Sequence, residues 1–382
     1  MTPRHAVFAA FVPFGIGFGM WAGTIARVAA RSDISAQMLG FAITGFIAAA
    51  LSGTALGGML SRHFTVKTIL LGAIAACAVS LSLLMQADEP FSFLFGLIVY
   101  GVINGIYDGA MNAEGTTVEV DCGRPILLGF HAAASCAAGL AAIVGSYVAV
   151  NVGTEATAGI VVCGYALGAL GVWRGTPARV VAIRDAEQKN QPRRFQRPIL
   201  LLGIVVGIVI AGETVTAMFS APALVAQAPD LAAYAGFGAT AFALCQALVR
   251  AFADTLRRRF GDLRIMELSL VVATLGFLVV SFSGSFTQSA LGFALVGLGS
   301  ACLVPCGFSL APAYSRVAAA QALGLLALIT ALPRIPAPLA FGDLAERISY
   351  PAAFALNAVL FCVAFGVLKQ LKRLPLPEAM KG

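Results

Sequence analysis

Long apolar runs organise this chain, and alternation is absent from them. Stretches such as 199–211 and 268–281 stay hydrophobic without a polar residue at every second position. Strands of a lipid-facing barrel would alternate, so the pattern predicts α-helices. A membrane-spanning helix needs about 20 mostly apolar residues. Runs of that length are expected at 6–28, 37–60, 66–85, 91–113, 126–150 and 156–173. A polar stretch follows at 174–197, with Arg174, Arg179, Arg184, Lys189, Arg193, Arg194 and Arg197 against Asp185 and Glu187. Further runs are expected at 198–224, 231–252, 265–283, 288–314, 318–341 and 350–371. Prolines 305, 312, 333, 336 and 338 interrupt the tenth and eleventh. The predicted architecture is an all-α membrane protein of twelve transmembrane helices. Residues 1–173 and 198–382 form two pseudo-symmetric six-helix halves, joined by the connector 174–197.

Composition agrees and excludes much else. Of 382 residues, 59% are hydrophobic and 11% charged, where soluble chains carry about 25% charged residues. Mean hydropathy is +0.89. A soluble enzyme, a disordered chain and a nucleic-acid-binding domain are all incompatible with that balance. The net charge of +7 matters through its placement. Alternate loops carry Arg62 and Lys67, Arg124, the connector, Arg257–Arg259 with Arg264, Arg316, and a tail with Lys369, Lys372 and Arg373. The opposite loops hold Arg27, Arg31 and Arg347 beside Asp33, Asp88, Glu89, Glu155, Asp230 and Glu346. The positive-inside rule then places both termini in the cytoplasm. The first span lacks a small-residue cleavage site and is expected to be retained.

The eight cysteines form no Cys-x-x-Cys pair, and there are three histidines in all. Neither a metal site nor a disulfide frame is expected, and no cofactor. No Gly-x-Ser-x-Gly, His-Glu-x-x-His or phosphate loop occurs, so no enzyme activity is expected.

Polar groups inside spans are costly and point to function. Asn104, Asp108 and Asn112 recur at intervals of four in the fourth span and share one helix face. His131 and Ser135 in the fifth span could meet that stripe. Glu213 falls near the middle of the seventh span and Arg334 in the eleventh. Glu213, Asp108 and His131 are the candidate proton-coupling residues. Phe14, Phe18 and Trp21 share a face of the first span, among Gly15, Gly17, Gly19 and Gly23. With Asn104, Asn112 and Arg334 they are the candidate solute-binding residues. An interhelical hydrogen-bond knot is the structural alternative for the stripe, and plain packing for the aromatic face.

The two short basic loops after the second and eighth spans occupy equivalent places in the halves. Around them the chain resembles the major facilitator superfamily over its whole length. Asp254, Arg258 and Gly261 match that superfamily's loop motif, and so does Arg62 in the first copy. Ser61 and His63 depart from it, standing where an Asp-Arg pair is usual. The stretch from Asp108 through Met111-Asn112-Ala113 and Gly115, then Glu119, Arg124-Pro125 and Phe130-His131, resembles the bacterial YbjJ-like subgroup. The eleventh span departs: a Gly-rich stretch is usual where 332–338 is rich in proline. The resemblance implies a gating role for Arg62, Asp254, Arg258 and Gly261. It also implies secondary transport of a small organic solute across a bacterial inner membrane, coupled to protons. The expected protein is a monomer in lipid with no nucleic-acid partner. Two alternatives stand beside this: a drug-efflux proton antiporter for amphipathic compounds, and a receptor or scaffold that transports nothing.

Overall fold

Several helices start where a short polar side chain can hold the free backbone N–H groups of the first turn. In the computed structural model, which describes residues 2–123, 126–179, 197–315 and 319–374, Thr2 opens α1 (Pro3–Arg31). Ser35 opens α2 (Ala36–Leu60), and Thr65 opens α3 (Val66–Leu84). Ser92 reaches back to the Glu89 N–H at the start of α4 (Pro90–Cys122). Next come α5 (Leu127–Asn151) and α6 (Thr154–Gly175). Most of the connector, residues 180–196, lies outside the described residues.

The chain continues with α7 (Arg197–Gln227), a 3-10 turn (Pro229–Tyr234), α8 (Phe237–Phe260) and α9 (Asp262–Ser281). Then follow α10 (Phe286–Ser300), α11 (Leu303–Leu310), α12 (Ala319–Arg334), α13 (Ala337–Arg347) and α14 (Tyr350–Lys372). Among the described residues, twelve segments are long and apolar enough to cross a membrane. We call the side where α1 begins and α14 ends the terminal face, and the other the far face.

Packing recurs along the chain. α1 lies on α5 as α7 lies on α12; α2 lies on α4 as α8 lies on α10; α3 lies on α6 as α9 lies on α14. Small residues set the closest approaches. A Cβ at Gly15, Gly19 or Gly23 would strike the backbone of Ala134, Ala138 or Ala142, so α1 rides directly on the α5 main chain. Arg31 ties the far end of α1 to its neighbours. It donates to the Met85 and Ala87 carbonyls at 2.6 and 2.9 Å and to Thr154 Oγ1 at 2.8 Å.

Several boundaries differ from the sequence expectation. The fourth span runs nine residues past 113, ending at Cys122 where Gly123 adopts φ +64°. Polar residues end an apolar run without ending a helix, which is why the expected boundary fell short. The tenth span is broken after Ser300, and the eleventh is broken between Arg334 and Ala337. Pro336 lacks the N–H that would continue the ladder, and Thr44 Oγ1 of α2 donates to the Ile335 carbonyl at 3.3 Å. The eleventh span then extends to Arg347, six residues past the expected 341.

Contacts between the first six helices and the rest gather toward the far face. α13 lies on α2: a Cβ at Gly40 would strike the Pro338 carbonyl, and one at Gly342 the Ala36 carbonyl. Glu346 accepts the Ala36 N–H at 2.8 Å, and Gln37 donates to Asp343 at 2.8 Å. Nearer the middle, Ala22, Ala142 and Ala239 of α1, α5 and α8 close into a small buried cluster. Thr240 donates to the Gly139 carbonyl at 2.7 Å beside it.

Candidate functional site

Below that alanine cluster lies a cavity of about 170 Å³. Its far end is apolar. Phe18, Ala22, Ala138, Ala217, Ala239 and Phe242 line it. Its other end is polar, where Asp108, His131, Ser135 and Gln246 reach the wall beside Phe14. Four helices converge there, and the helix period explains how: Asp108 lies on the α4 stripe, and His131 and Ser135 share the α5 face.

The polar end contains two hydrogen-bonded groups. In the first, Asn112 donates to Asp108 Oδ1 at 3.0 Å and to its carbonyl at 2.9 Å. Asn112 Oδ1 lies 3.1 Å from His131 Nε2. His131 therefore meets the α4 stripe at Asn112, and Asp108 and His131 are linked through that amide. In the second, Gln246 donates to Glu213 Oε1 at 2.7 Å and to Ser300 Oγ at 3.2 Å. Arg250 Nη2 lies 3.8 Å from the same carboxylate oxygen. Arg250 also donates to Ser135 Oγ at 3.4 Å, and to the Ala301 carbonyl at the α10–α11 break at 3.4 Å.

Arg334, the last residue of α12, lies within electrostatic reach of both Asp108 and Glu213. Its Nε is buried and has no hydrogen-bond partner among the described residues. The break that follows it explains its position: the run of prolines stops the helix there and leaves the guanidinium among its neighbours.

Other sequence candidates lie elsewhere. Trp21 is fully buried and packs on Phe93, with ring centroids 5.8 Å apart. It does not line the cavity, because α1 turns its Gly15, Gly19 and Ala22 side toward it and Trp21 sits about a quarter-turn away. Phe14 does line it and meets Tyr107 edge-on at 5.4 Å. Asn104 is buried one turn above Asp108, its amide 3.4 Å from the Tyr100 hydroxyl.

Among the loop residues, Arg62 is exposed at the α2–α3 turn. Gly261 has φ +79° between α8 and α9. Arg258 is exposed and reaches Thr255 at 3.4 Å. The Asp254 side chain lies outside the described residues. Arg257 makes the bidentate pair of this turn, at 2.7 and 3.3 Å from Asp262.

Sequence reasoning missed Arg250, Gln246 and a third charged group, Arg179 with Glu114 and Asp121. Arg179 lies 3.0 Å from Glu114, which is 2% exposed, and 3.0 Å from Asp121. Glu114 fell outside the expected span by one residue. An Arg within a few residues of an expected helix end reads as interfacial, which hid Arg250.

No protein-family model matches the chain. It is 24% identical over 363 residues to an uncharacterized MFS-type transporter of Yersinia pestis, covering 92% of this chain and 91% of that one. It is 27% identical over 393 residues to an uncharacterized transporter of Sinorhizobium fredii, covering 97% and 99%. Among solved structures, the nucleoside transporter NupG superposes with TM-score 0.75 at 16% identity, over 97% of this chain and 99% of that one. The chain has the fold of the major facilitator superfamily transporters. A midplane cavity between helix bundles is where such transporters hold their solutes.

Proposed function

We propose that this protein is a proton-coupled secondary transporter of a small organic solute, working by alternating access. The observation that carries it is a pair of carboxylates at the polar end: Asp108 from α4, in the cavity wall and tied to His131 through Asn112, and Glu213 from α7, behind the lining Gln246 and near Arg250. A membrane packing core needs no titratable groups. A carboxylate facing a cation can trade that partner for a proton, and the trade changes which closed state is favoured. Glu213 is assigned the coupling role, with Asp108 second and His131 as relay partner.

In this reading the six-helix halves, 1–173 and 198–382, rock about the cavity. The far-face contacts are the closed gate, and the cavity loads from the terminal face. The basic excess there assigns that face, with both termini, to the cytoplasm of a bacterial inner membrane. Arg62, Asp254, Arg258 and Gly261 belong to the turns that would close in the opposite state. The α4–α5 motif supports placement in the YbjJ-like subgroup. A monomer suffices for this cycle. The drug-efflux alternative draws support from the apolar wall. The cavity is nevertheless small beside the roughly 300–1,000 Å³ of drug-sized sites.

The test is proton movement in proteoliposomes carrying an internal pH dye, screened against solutes. The wild type is expected to acidify or alkalinise with one solute class, and Glu213→Gln to abolish the coupled flux while solute exchange persists. Coupled flux intact in Glu213→Gln and lost in Asp108→Asn would move the role to Asp108. No solute-dependent proton movement with any compound would favour the scaffold alternative.

A further inference from the structure

The two ends of the cavity differ in kind, and the hydrogen-bond inventory at the polar end is unbalanced. Each carboxylate already receives donors: Glu213 from Gln246 at 2.7 Å, with Arg250 at 3.8 Å, and Asp108 from Asn112 at 3.0 Å. Arg334 lies within electrostatic reach of both carboxylates, but neither takes a hydrogen bond from its Nε. A guanidinium donates from every nitrogen and accepts nothing, yet Arg334 Nε is buried with no acceptor among the described residues. The group missing from this end is therefore an acceptor, not a second cation.

Arg334 is held in place. Pro333 packs so closely on Gly207 of α7 that a Cβ there would collide with its ring. Thr44 holds the Ile335 carbonyl just past the break at 3.3 Å. A fixed planar fork selects a planar, two-oxygen acceptor, and a carboxylate matches it best. Beyond the polar end the cavity is lined by Phe18, Phe242 and alanines 138, 217 and 243, with Ala22 and Ala239 toward the far face. Those groups offer no hydrogen bond to a ligand, so that part takes apolar atoms.

Resting on the transport reading above, we propose that the solute is a compact amphipathic anion. Its single aromatic or branched aliphatic body fills the slot beneath Ala22 and Ala239, and its carboxylate-type head meets Arg334. Charge sets which end enters first, and the slot sets the size of the body.

The probes are 3-phenylpropionate, its amide, 3-phenylpropylamine and acetate. Binding is read by calorimetry and thermal shift on the purified full-length protein. Phenylpropionate is expected to bind. The amide and the amine are expected to bind about ten- to a hundredfold more weakly, the worth of a hydrogen bond to a charged group. Acetate, which has the head without the body, is expected to bind more weakly still. Arg334→Gln should bring the acid down to the level of the amide, and Arg334→Lys should keep part of the preference. Ala243→Phe, which fills the slot and leaves Arg334 in place, should remove phenylpropionate binding by itself. An amine that binds as well as the acid overturns the proposal, as does acid-over-amide preference surviving in Arg334→Gln. So does phenylpropionate failing to bind the wild type.

A ligand-free readout separates this from failure of the transport reading. Ala138→Cys, in a chain whose native cysteines are replaced, reports which face reaches the cavity. If its labelling switches sides with an imposed pH gradient while phenylpropionate does not bind, the solute class falls and transport stands. If neither occurs, both fall.

Discussion

Arg250 and Glu213 lie 3.8 Å apart with each side chain 17% exposed, close enough to depend on one another and wet enough that neither is locked. Removing one partner of such a pair costs more than removing both, since the survivor keeps its desolvation without its compensation. Arg250→Ala is therefore expected to destabilise the protein by about 1–3 kcal/mol. Arg250→Ala with Glu213→Gln should recover more than half of that loss, because a neutral amide at 213 can still meet Gln246. Denaturant unfolding in detergent checks it; additive losses would mean that the two groups are independent. The sequence exposed only one side of this pair. Glu213 sits mid-span and is conspicuous in an apolar run. Arg250 lies two residues from the expected end of its span at 252, where an Arg is unremarkable, yet α8 runs on to Phe260. Arg334 was visible as a charge, but its want of an acceptor follows from the break after it, which composition alone does not locate.

At the scale of the element, glycine position separates packing from slack. Gly15, Gly19 and Gly23 form one stripe of α1 against the α5 backbone, and Gly19 and Ala138 also line the cavity. Gly19→Leu is expected to push α1 off α5, lower stability by about 1–3 kcal/mol as an overpacked contact does, and abolish solute binding. Gly159 in α6 has nothing within 4 Å of where a Cβ would stand. Gly159→Ala is expected to leave binding intact and to stabilise the helix by about 0.5–1 kcal/mol. Thermal unfolding with a binding measurement on both variants checks the contrast. Equal behaviour would mean that the stripe does not set the α1–α5 distance. The helices themselves were legible because roughly 20 apolar residues leave few alternatives. Their ends were less so: α4 continues through Asn112, Glu114 and Glu119, because a hydrogen-bonded helix tolerates polar residues that a hydropathy pattern takes as its end. Glu119 shows what such residues do there, accepting the Ile126 and Leu127 N–H groups at 2.7 Å and so starting the next helix.

For the whole molecule, the proposed cycle asks which contacts must break for the cavity to open on the other side. Candidates are few and local: the α2–α13 seam with Ala36, Gln37, Asp343 and Glu346, and the Ala22–Ala142–Ala239 cluster beneath it. The packing of α1 on α5 and α7 on α12, and of the pairs that follow the same order, recurs on either side of the basic connector. The α2–α13 seam was not legible in the sequence, since it joins residues some 300 positions apart (343 − 37 = 306) and no local pattern links them. Glu346 caps the start of α2, a role that costs about 1 kcal/mol to lose, so one substitution should bias the gate without unfolding the protein. Glu346→Ala is expected to raise labelling of Ala138→Cys from the far side by roughly fivefold, the population shift that about 1 kcal/mol produces. Locking the seam should do the opposite. With Gln37→Cys and Asp343→Cys in a chain freed of its eight native cysteines, a short thiol cross-linker should hold the far face shut. Solute should then still bind from the terminal face, and net transport in proteoliposomes should stop until the linker is cleaved. Transport that continues through the cross-link would place the moving gate elsewhere. A cross-link that leaves every measured activity unchanged would show that this seam never opens, and that the fold here holds its cavity without cycling.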